Sequence, residues 1–355
     1  GGRGGNEVGG AYCVRSESIL MAYNAVEPMA QEVLDAPGEG VSSLAWSPQA
    51  NHLVAGCWDS KLYWWEIGGD GSSQPKDAFV HDGPVLSVCF SSDGSTVFGG
   101  GGDREVRSWN LQDSSGSTVG VHDAAVKAVR FSPELQCVVS GSWDKTVKFW
   151  DSRQQGPANV IECQERVYAM DLFGSLLVIA CAGRQIEVYN LENMSKPFRT
   201  LESPMKYQTR CVACFQNPEV PCFAIGSVDG RVGIEYAQDS KDAFTFKCHR
   251  DTSKNYVYAV NDLSVHPGFG TFSTVGSDGT FNFWDKDNRT KVHNSAKTAP
   301  TSISAGQFNA PGDIFAYAVS YDWSQGASGY NEKLGNHIYV IPVSEQNVKP
   351  RPKGR

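Results

Sequence analysis

His122, Ser140, Asp144 and Trp150 bring an imidazole, a hydroxyl, a carboxylate and an indole N–H into one short stretch of chain. A Ser/His/Asp trio is the equipment of a hydrolase, with the imidazole as base and the serine as nucleophile. Nothing around Ser140 resembles the Gly-x-Ser-x-Gly elbow that would expose such a serine. The same spacing is approximated by His249, Thr274, Asp278 and Trp284, so it belongs to a repeated unit rather than to one catalytic centre. The expectation is a buried structural tetrad, in which Asp accepts from His and the hydroxyl satisfies the indole N–H. His81-Asp82 and His122-Asp123 open their units in corresponding places and read as architecture too.

Other chemistries fail on composition of the motif. Cys211-x-x-Cys214 has no second pair to complete a zinc site, and in a strand its thiols would face opposite sides. Gly99 to Gly102 lacks the Lys-Ser/Thr of a phosphate loop and sits between strands rather than before a helix. The chain therefore reads as a non-enzyme with no cofactor and no metal.

The elements that position these residues repeat. AGCWDSKLYWWE, GGGGDREVRSWN, SGSWDKTVKFWD, IACAGRQIEVYN, IGSVDGRVGIEY, VGSDGTFNFWD and AVSYDWS share a small or apolar lead, a turn and an alternating run. Their turn residues are Asp59, Asp103, Asp144, Gly183, Asp229, Asp278 and Asp322, at spacings averaging about 44 residues. The aromatic stands six positions after the turn residue in Asp59/Trp65, Asp103/Trp109, Asp144/Trp150, Gly183/Tyr189 and Asp278/Trp284, and seven after it in Asp229/Tyr236. Thr146–Trp150 and Thr280–Trp284 alternate apolar and polar as half-buried strands do. Seven such units, ending in WD or a relative of it, are the WD40 signature, and four strands per unit predict an all-β, seven-bladed propeller.

Seven units occupy most of the 355 residues and leave little for a second domain. The domain reading is a leader at 1–28, a propeller at 29–343, and a flexible basic tail at 344–355. Ala30 to Asp35 is expected to supply the outer strand of the seventh blade, because a closed ring protects its edges. The 31 basic and 39 acidic residues give a net charge of −8, which excludes a nucleic-acid footprint spread over the whole surface. No apolar run approaches the roughly 20 residues of a membrane span, and Gly1 to Gly10 lacks a secretory pattern. Ten cysteines in this length are too dilute for a disulfide scaffold and suit a reducing compartment. Gly1 to Gly5 reads as a linker rather than an RNA-binding segment.

Two stretches lengthen the repeat: Phe246–Arg250 leading into Asp251–Val257, and Trp284–Lys291 with Lys286, Arg289 and Lys291. Adjacent blades are expected to bring these cations near each other and near Arg231. A local basic patch beside Phe246 and Trp284, on an acidic protein, suits an acidic and apolar peptide.

The words GSWDKTVKFWD, FTFKCHR, VGSDGTFNFWDKDNRTK and IFAYAVSYDWSQGASGYN resemble the nuclear-pore mRNA export factors, the Gle/Rae-type WD40 propellers, from about Val41 to Lys349-Pro350-Arg351. The mitotic-checkpoint propeller is a relative, sharing GSWD, KYQTRC and KCHR. The resemblance implies a scaffold at the nuclear envelope and pore, and in the cytoplasm. It would bind the GLEBS segment of an FG-repeat nucleoporin as one propeller in a heterodimer. It also implies mRNA export, contact with single-stranded RNA, and a mitotic role. On the matching words it assigns the peptide groove to Arg231, Phe246, Trp284, Asp285, Lys286, Arg289 and Lys291. Any RNA contact would draw on this patch and on Lys349, Arg351, Lys353 and Arg355. Gly183 in place of the turn Asp, and a leader poor in FG character, depart from the family pattern. The rival functions are a checkpoint adaptor for GLEBS-bearing kinases and a substrate receptor of a ubiquitin ligase.

Overall fold

A computed structural model describes residues 30–217, 219–294 and 299–350. It contains seven four-stranded antiparallel sheets and one two-stranded hairpin. Blade one runs Val41–Trp46, His52–Cys57, Lys61–Ile67 and Ser73–Val80, from the inside outward. The first strand of each blade touches the first strand of the next, and Ile303–Phe308 of blade seven returns to Val41–Trp46. The fold is therefore a closed seven-bladed propeller.

Burial follows position within the blade. Second strands are covered on both faces by neighbouring blades, and Cys137–Ser142, Leu176–Cys181, Cys222–Ser227 and Ile314–Val319 are buried throughout. Their runs of small and apolar residues meet the need for full burial. Third strands are covered less, and Lys61–Ile67 alternates accordingly. Outer strands such as Gly116–Val121 are largely exposed. The Asp turns join second to third strands: the Asp144 carboxylate accepts the Thr146 N–H at 2.9 Å, and Lys145 behind it takes the left-handed conformation at φ 70°.

The ring closes between chain ends. Gln31–Glu32 pairs antiparallel with His337–Pro342, setting Gln31 opposite Val340 and Glu32 opposite Tyr339. The Val33 N–H extends the ladder to the Ile338 carbonyl at 2.8 Å. Val33 is buried with Leu44, Trp65, Ile338 and Val340, and the Trp65 indole donates to the Leu34 carbonyl at 2.8 Å. The strand is shorter than the Ala30 to Asp35 stretch because Asp35 turns at φ 51° and Pro37 follows.

The tail begins later than the sequence suggests. Residues 345–348 form a helical turn, Glu345–Val348. Val348 is buried with Phe308, Ile341 and Val343, and its carbonyl accepts the Thr271 hydroxyl at 2.7 Å. An apolar side chain and a buried carbonyl fix this segment to blade six, so the expectation of a free tail from 344 is corrected. The leader at 1–28, with Gly1 to Gly5, lies outside the described residues, as do Arg351, Lys353 and Arg355.

Removing residues 1–36 deletes the closing ladder and uncovers the pocket of Val33. Burial of one valine and loss of a few hydrogen bonds together amount to roughly 4 kcal/mol. Denaturant melts of the full chain and the shortened chain should differ by about that amount, and coincident melts would show that the clasp contributes nothing.

Candidate functional site

In blade three the tetrad is a connected network. His122 Nδ1 lies 2.8 Å from Asp144 Oδ2 and donates to it, since a carboxylate only accepts. That leaves Nε2 to accept from the Ser140 hydroxyl at 2.8 Å, while the Trp150 indole donates to Ser140 Oγ at 2.7 Å. Burial lowers the His122 pKa. For Asp144, burial acts upward, but hydrogen bonds from Thr146, the Asp123 N–H and His122 outweigh it and hold the carboxyl below its ordinary range. The arrangement has the connectivity of a catalytic triad. Ser140 is nevertheless fully buried, and its oxygen already accepts from Trp150. It cannot meet a substrate.

Blade six repeats the network, with His249 between Asp278 at 2.9 Å and Thr274 at 2.8 Å, and Trp284 donating to Thr274 Oγ1 at 3.0 Å. Blade two keeps His81 and Asp103 at 2.6 Å, but Gly99 stands where Ser140 and Thr274 stand. The missing hydroxyl leaves His81 Nε2 buried without a partner, and a Cβ on Gly99 would lie 2.9 Å from that nitrogen. Blade four abandons the tetrad. Cys163 replaces the histidine, Gly183 turns at φ 72° in place of Asp, and Tyr189 donates to Glu187 at 3.1 Å. The Cys163 and Cys181 thiols and the Glu187 carboxylate, all buried, lie within 4.8 Å of one another. A hydrogen bond with Cys181 and burial push the Cys163 thiol well up. This is a cluster the CxxC pattern could not reveal. Cys211 and Cys214 are themselves buried in different clusters, on opposite faces of their strand.

The groove residues lie along the seam between blades five and six. Arg231–Tyr236 and Phe244–Lys247 are the outer strands of blade five, and Phe281–Asp285 and Thr290–Asn294 those of blade six. The Phe246 and Trp284 rings meet at 4.6 Å, with Phe244 6.2 Å from Phe246. Cations cover these rings: Lys291 sits 4.9 Å over Trp284, and Arg289 sits 4.5 Å over Phe244. The FTF alternation puts Phe244 on the same face as Phe246, a partner that the sequence reading left out.

Two expectations need correction. Arg231 and Lys286 are not neighbours. Arg231 starts its strand, ion-paired to Asp229 at 3.0 Å. Lys286 lies over Phe215, 5.2 Å from the ring, near Tyr236 at the strand's other end. Five strand steps separate the ends by roughly 16 Å. Lys286 is also mostly covered, its side chain 11% exposed and paired to Asp287 at 2.6 Å. Asp285 is buried and accepts from the Asp287 N–H, the Asn288 N–H and the Asn288 amide at 2.9, 3.1 and 2.5 Å. It shapes the loop that carries Lys286 and Arg289 and does not face outward. Arg231, Phe246, Trp284, Arg289 and Lys291 remain along the seam, with Arg289 and Lys291 exposed, Arg231 half-buried and the two rings partly buried against the core.

A second surface went unread in the sequence. Trp58, Trp143 and Trp323 in the second-to-third strand turns, and Tyr207 and Tyr256 in the links between blades, are all more than 40% exposed. Antiparallel strand order puts both kinds of connection at the same end of the ring. Trp323 stacks on Tyr330 at 5.3 Å.

The closed ring of four-stranded blades, with its tetrads, defines a WD40-repeat propeller. Residues 30–66, 74–110 and 114–151 match the family described as WD domain, G-beta repeat. The solved structure of U3-55K shares the fold, with a TM-score of 0.77 at 16% identity over 90% of this chain and 99% of its own. Closer kinship is specific. The Poly(A)+ RNA export protein of Schizosaccharomyces pombe is 45% identical over 91% of this chain and 93% of its own. Protein RAE1 of Arabidopsis thaliana is 46% identical over the same shares, and the mRNA export factor of Macaca fascicularis 44% identical over 91% of each chain. The chain belongs to the mRNA export factor family of WD40 propellers.

The tetrad predicts two stability effects. Ser140→Ala strands the Trp150 N–H and His122 Nε2 in the core and should cost about 2–4 kcal/mol; a cost near zero in urea unfolding would contradict the network. His122, His52 and His266 all have pKa values below the ordinary 6.5. The unfolded chain therefore binds protons that the folded chain refuses, and stability is full above about 6.5 and falls as pH drops below it. Melting temperatures that hold level from pH 7 to 5 would contradict this sign.

Proposed function

We propose that this chain is a non-catalytic scaffold of the nuclear pore that supports mRNA export by holding the acidic GLEBS segment of an FG-repeat nucleoporin. The observation that carries this reading is the line of Phe244, Phe246 and Trp284, flanked by Arg289, Lys291 and Arg231, on a protein of net charge −8. Aromatic and Arg anchors concentrate binding energy, and several cations along one seam orient an acidic segment. Family membership supports the role in export, and with it residence in the nucleus and at the nuclear envelope. The seam runs the height of the blade, which suits an extended segment rather than a point contact. RNA contact fits the exposed face of Trp58, Trp143 and Tyr207, where bases can stack, with Lys206 beside Tyr207.

The test is calorimetric titration of a GLEBS peptide into the full chain and into the double variant Arg231→Glu, Lys291→Glu. Unpairing partner carboxylates at both charges should weaken binding about 100-fold, with a melting temperature close to that of the parent. Unchanged affinity would place the peptide elsewhere on the ring. Wild-type binding of checkpoint-kinase peptides alone would favour the spindle-checkpoint reading. Co-purification of ligase adaptor subunits alone would favour the ubiquitin one.

A further inference from the structure

Every blade carries a β-bulge at the same place. The pairing of first and second strands skips one residue in each: Ser42, Leu86, Lys127, Tyr168, Arg210, Asn261 or Ser304. A bulged residue is re-aimed away from the ladder, and all seven line the central channel, whose volume is about 600 Å³. Each stands second in its strand, just after the link from the preceding blade. They therefore form one level near the channel mouth, on the face that carries Trp58, Trp143 and Tyr207.

Three of the bulged side chains bind the ring itself. Ser42 donates to the Val85 carbonyl, Asn261 to the Ile303 carbonyl at 2.7 Å, and Ser304 to the Val41 carbonyl at 2.7 Å. Lys127, Tyr168 and Arg210, from the consecutive blades three, four and five, have no hydrogen-bond or ion-pair partner among the described residues. Lys and Arg offer only donors. Burial lowers the Lys127 pKa, and the Arg210 charge lowers it further, so the two cations repel.

The channel's carboxylates do not pair with them, although the Asp262 charge opposes the lowering at Lys127. Asp171 pairs with Arg130 at 2.7 Å and accepts the Cys214 N–H at 2.8 Å. Asp262 accepts from the Gly306 N–H at 3.1 Å and the Gln307 amide at 3.4 Å, and burial raises its pKa. Asp171 is taken up by Arg130, and Asp262, hydrogen-bonded to the ring, makes no hydrogen bond or ion pair with Lys127 or Arg210 among the described residues.

We propose that the channel mouth is an anion site, in which Lys127, Tyr168 and Arg210 hold a small phosphate-bearing polyanion. Two cations on the blades either side of the one that carries Tyr168 suit a ligand with at least two negative charges and several acceptor oxygens. A single carboxylate would answer only one of the cations. The site is separate from the seam between blades five and six and does not depend on the nucleoporin reading.

The probes are inorganic pyrophosphate and tripolyphosphate, titrated into the full chain by calorimetry and thermal melt, with sodium chloride at matched ionic strength as the blank. Both should bind and raise the melting temperature above the blank. The double variant Lys127→Met, Arg210→Met should melt higher than the parent in chloride, because the repulsion is gone. It should bind the anions about tenfold or more weakly. Lys127→Arg, which keeps the charge, should retain binding and separates loss of the site from loss of the fold. No stabilisation beyond chloride in the parent would overturn the proposal, as would equal binding by the double variant. Stabilisation by a single-stranded RNA oligonucleotide but by neither phosphate probe would also overturn it, assigning the cations to the RNA backbone.

Discussion

Closure of the ring is the constraint on which the molecule depends. No blade could stand alone, since its second strand is apolar on both faces and needs a neighbour on each side. Six blades find neighbours in sequence order, and the seventh must find blade one. The chain solves this with two paired residues, Gln31 and Glu32, and one buried valine, which tie the start of the fold to its last long strand. The core that joins the ends mixes residues from 33–67 with residues from 305–340. Contacts of such long sequence separation form late and lose the most chain entropy.

Once the ring is closed, individual blades have latitude. Blades three and six keep complete tetrads, blade two does without the hydroxyl, and blade four replaces the histidine and the aspartate altogether. Packing between blades holds each sheet in place, so a polar network can be lost from one without opening the structure. This latitude leaves outer strands and loops free to diverge. The seam between blades five and six uses it, lining up three aromatic rings with cations over two of them, and the hairpin Arg250–Asp251 with Tyr256–Val257 rises beside it.

The repeat was legible because its signals are local. A turn residue, usually Asp, and an aromatic six positions later mark the third strand of a blade, and seven related units define the ring. The tetrad was legible for the same reason. What escaped depends on which end of a strand a residue occupies, or on a shift of one residue. Arg231 and Lys286 belong to adjacent blades, yet one opens its strand and the other follows its strand, so proximity of blades did not make them neighbours. Asp285 looked like part of a charged surface word, but its carboxylate turns inward to cap the loop. Val348 sat in a polar tail and reads as tethered only when the apolar site waiting for it is visible. Lys127 and Arg210 lie in strands whose alternation is displaced by a bulge, which hid their common level in the channel.

The proposed role requires that one seam of an otherwise acidic ring receive an acidic peptide. Hydrogen–deuterium exchange of the full chain, with and without a saturating GLEBS peptide, tests it most directly, because it maps the contact without altering any residue. Protection confined to Arg231–Tyr236, Phe244–Lys247 and Phe281–Asn294 is the predicted result. Protection of the outer strands of blades one to three, with those segments unchanged, would contradict it.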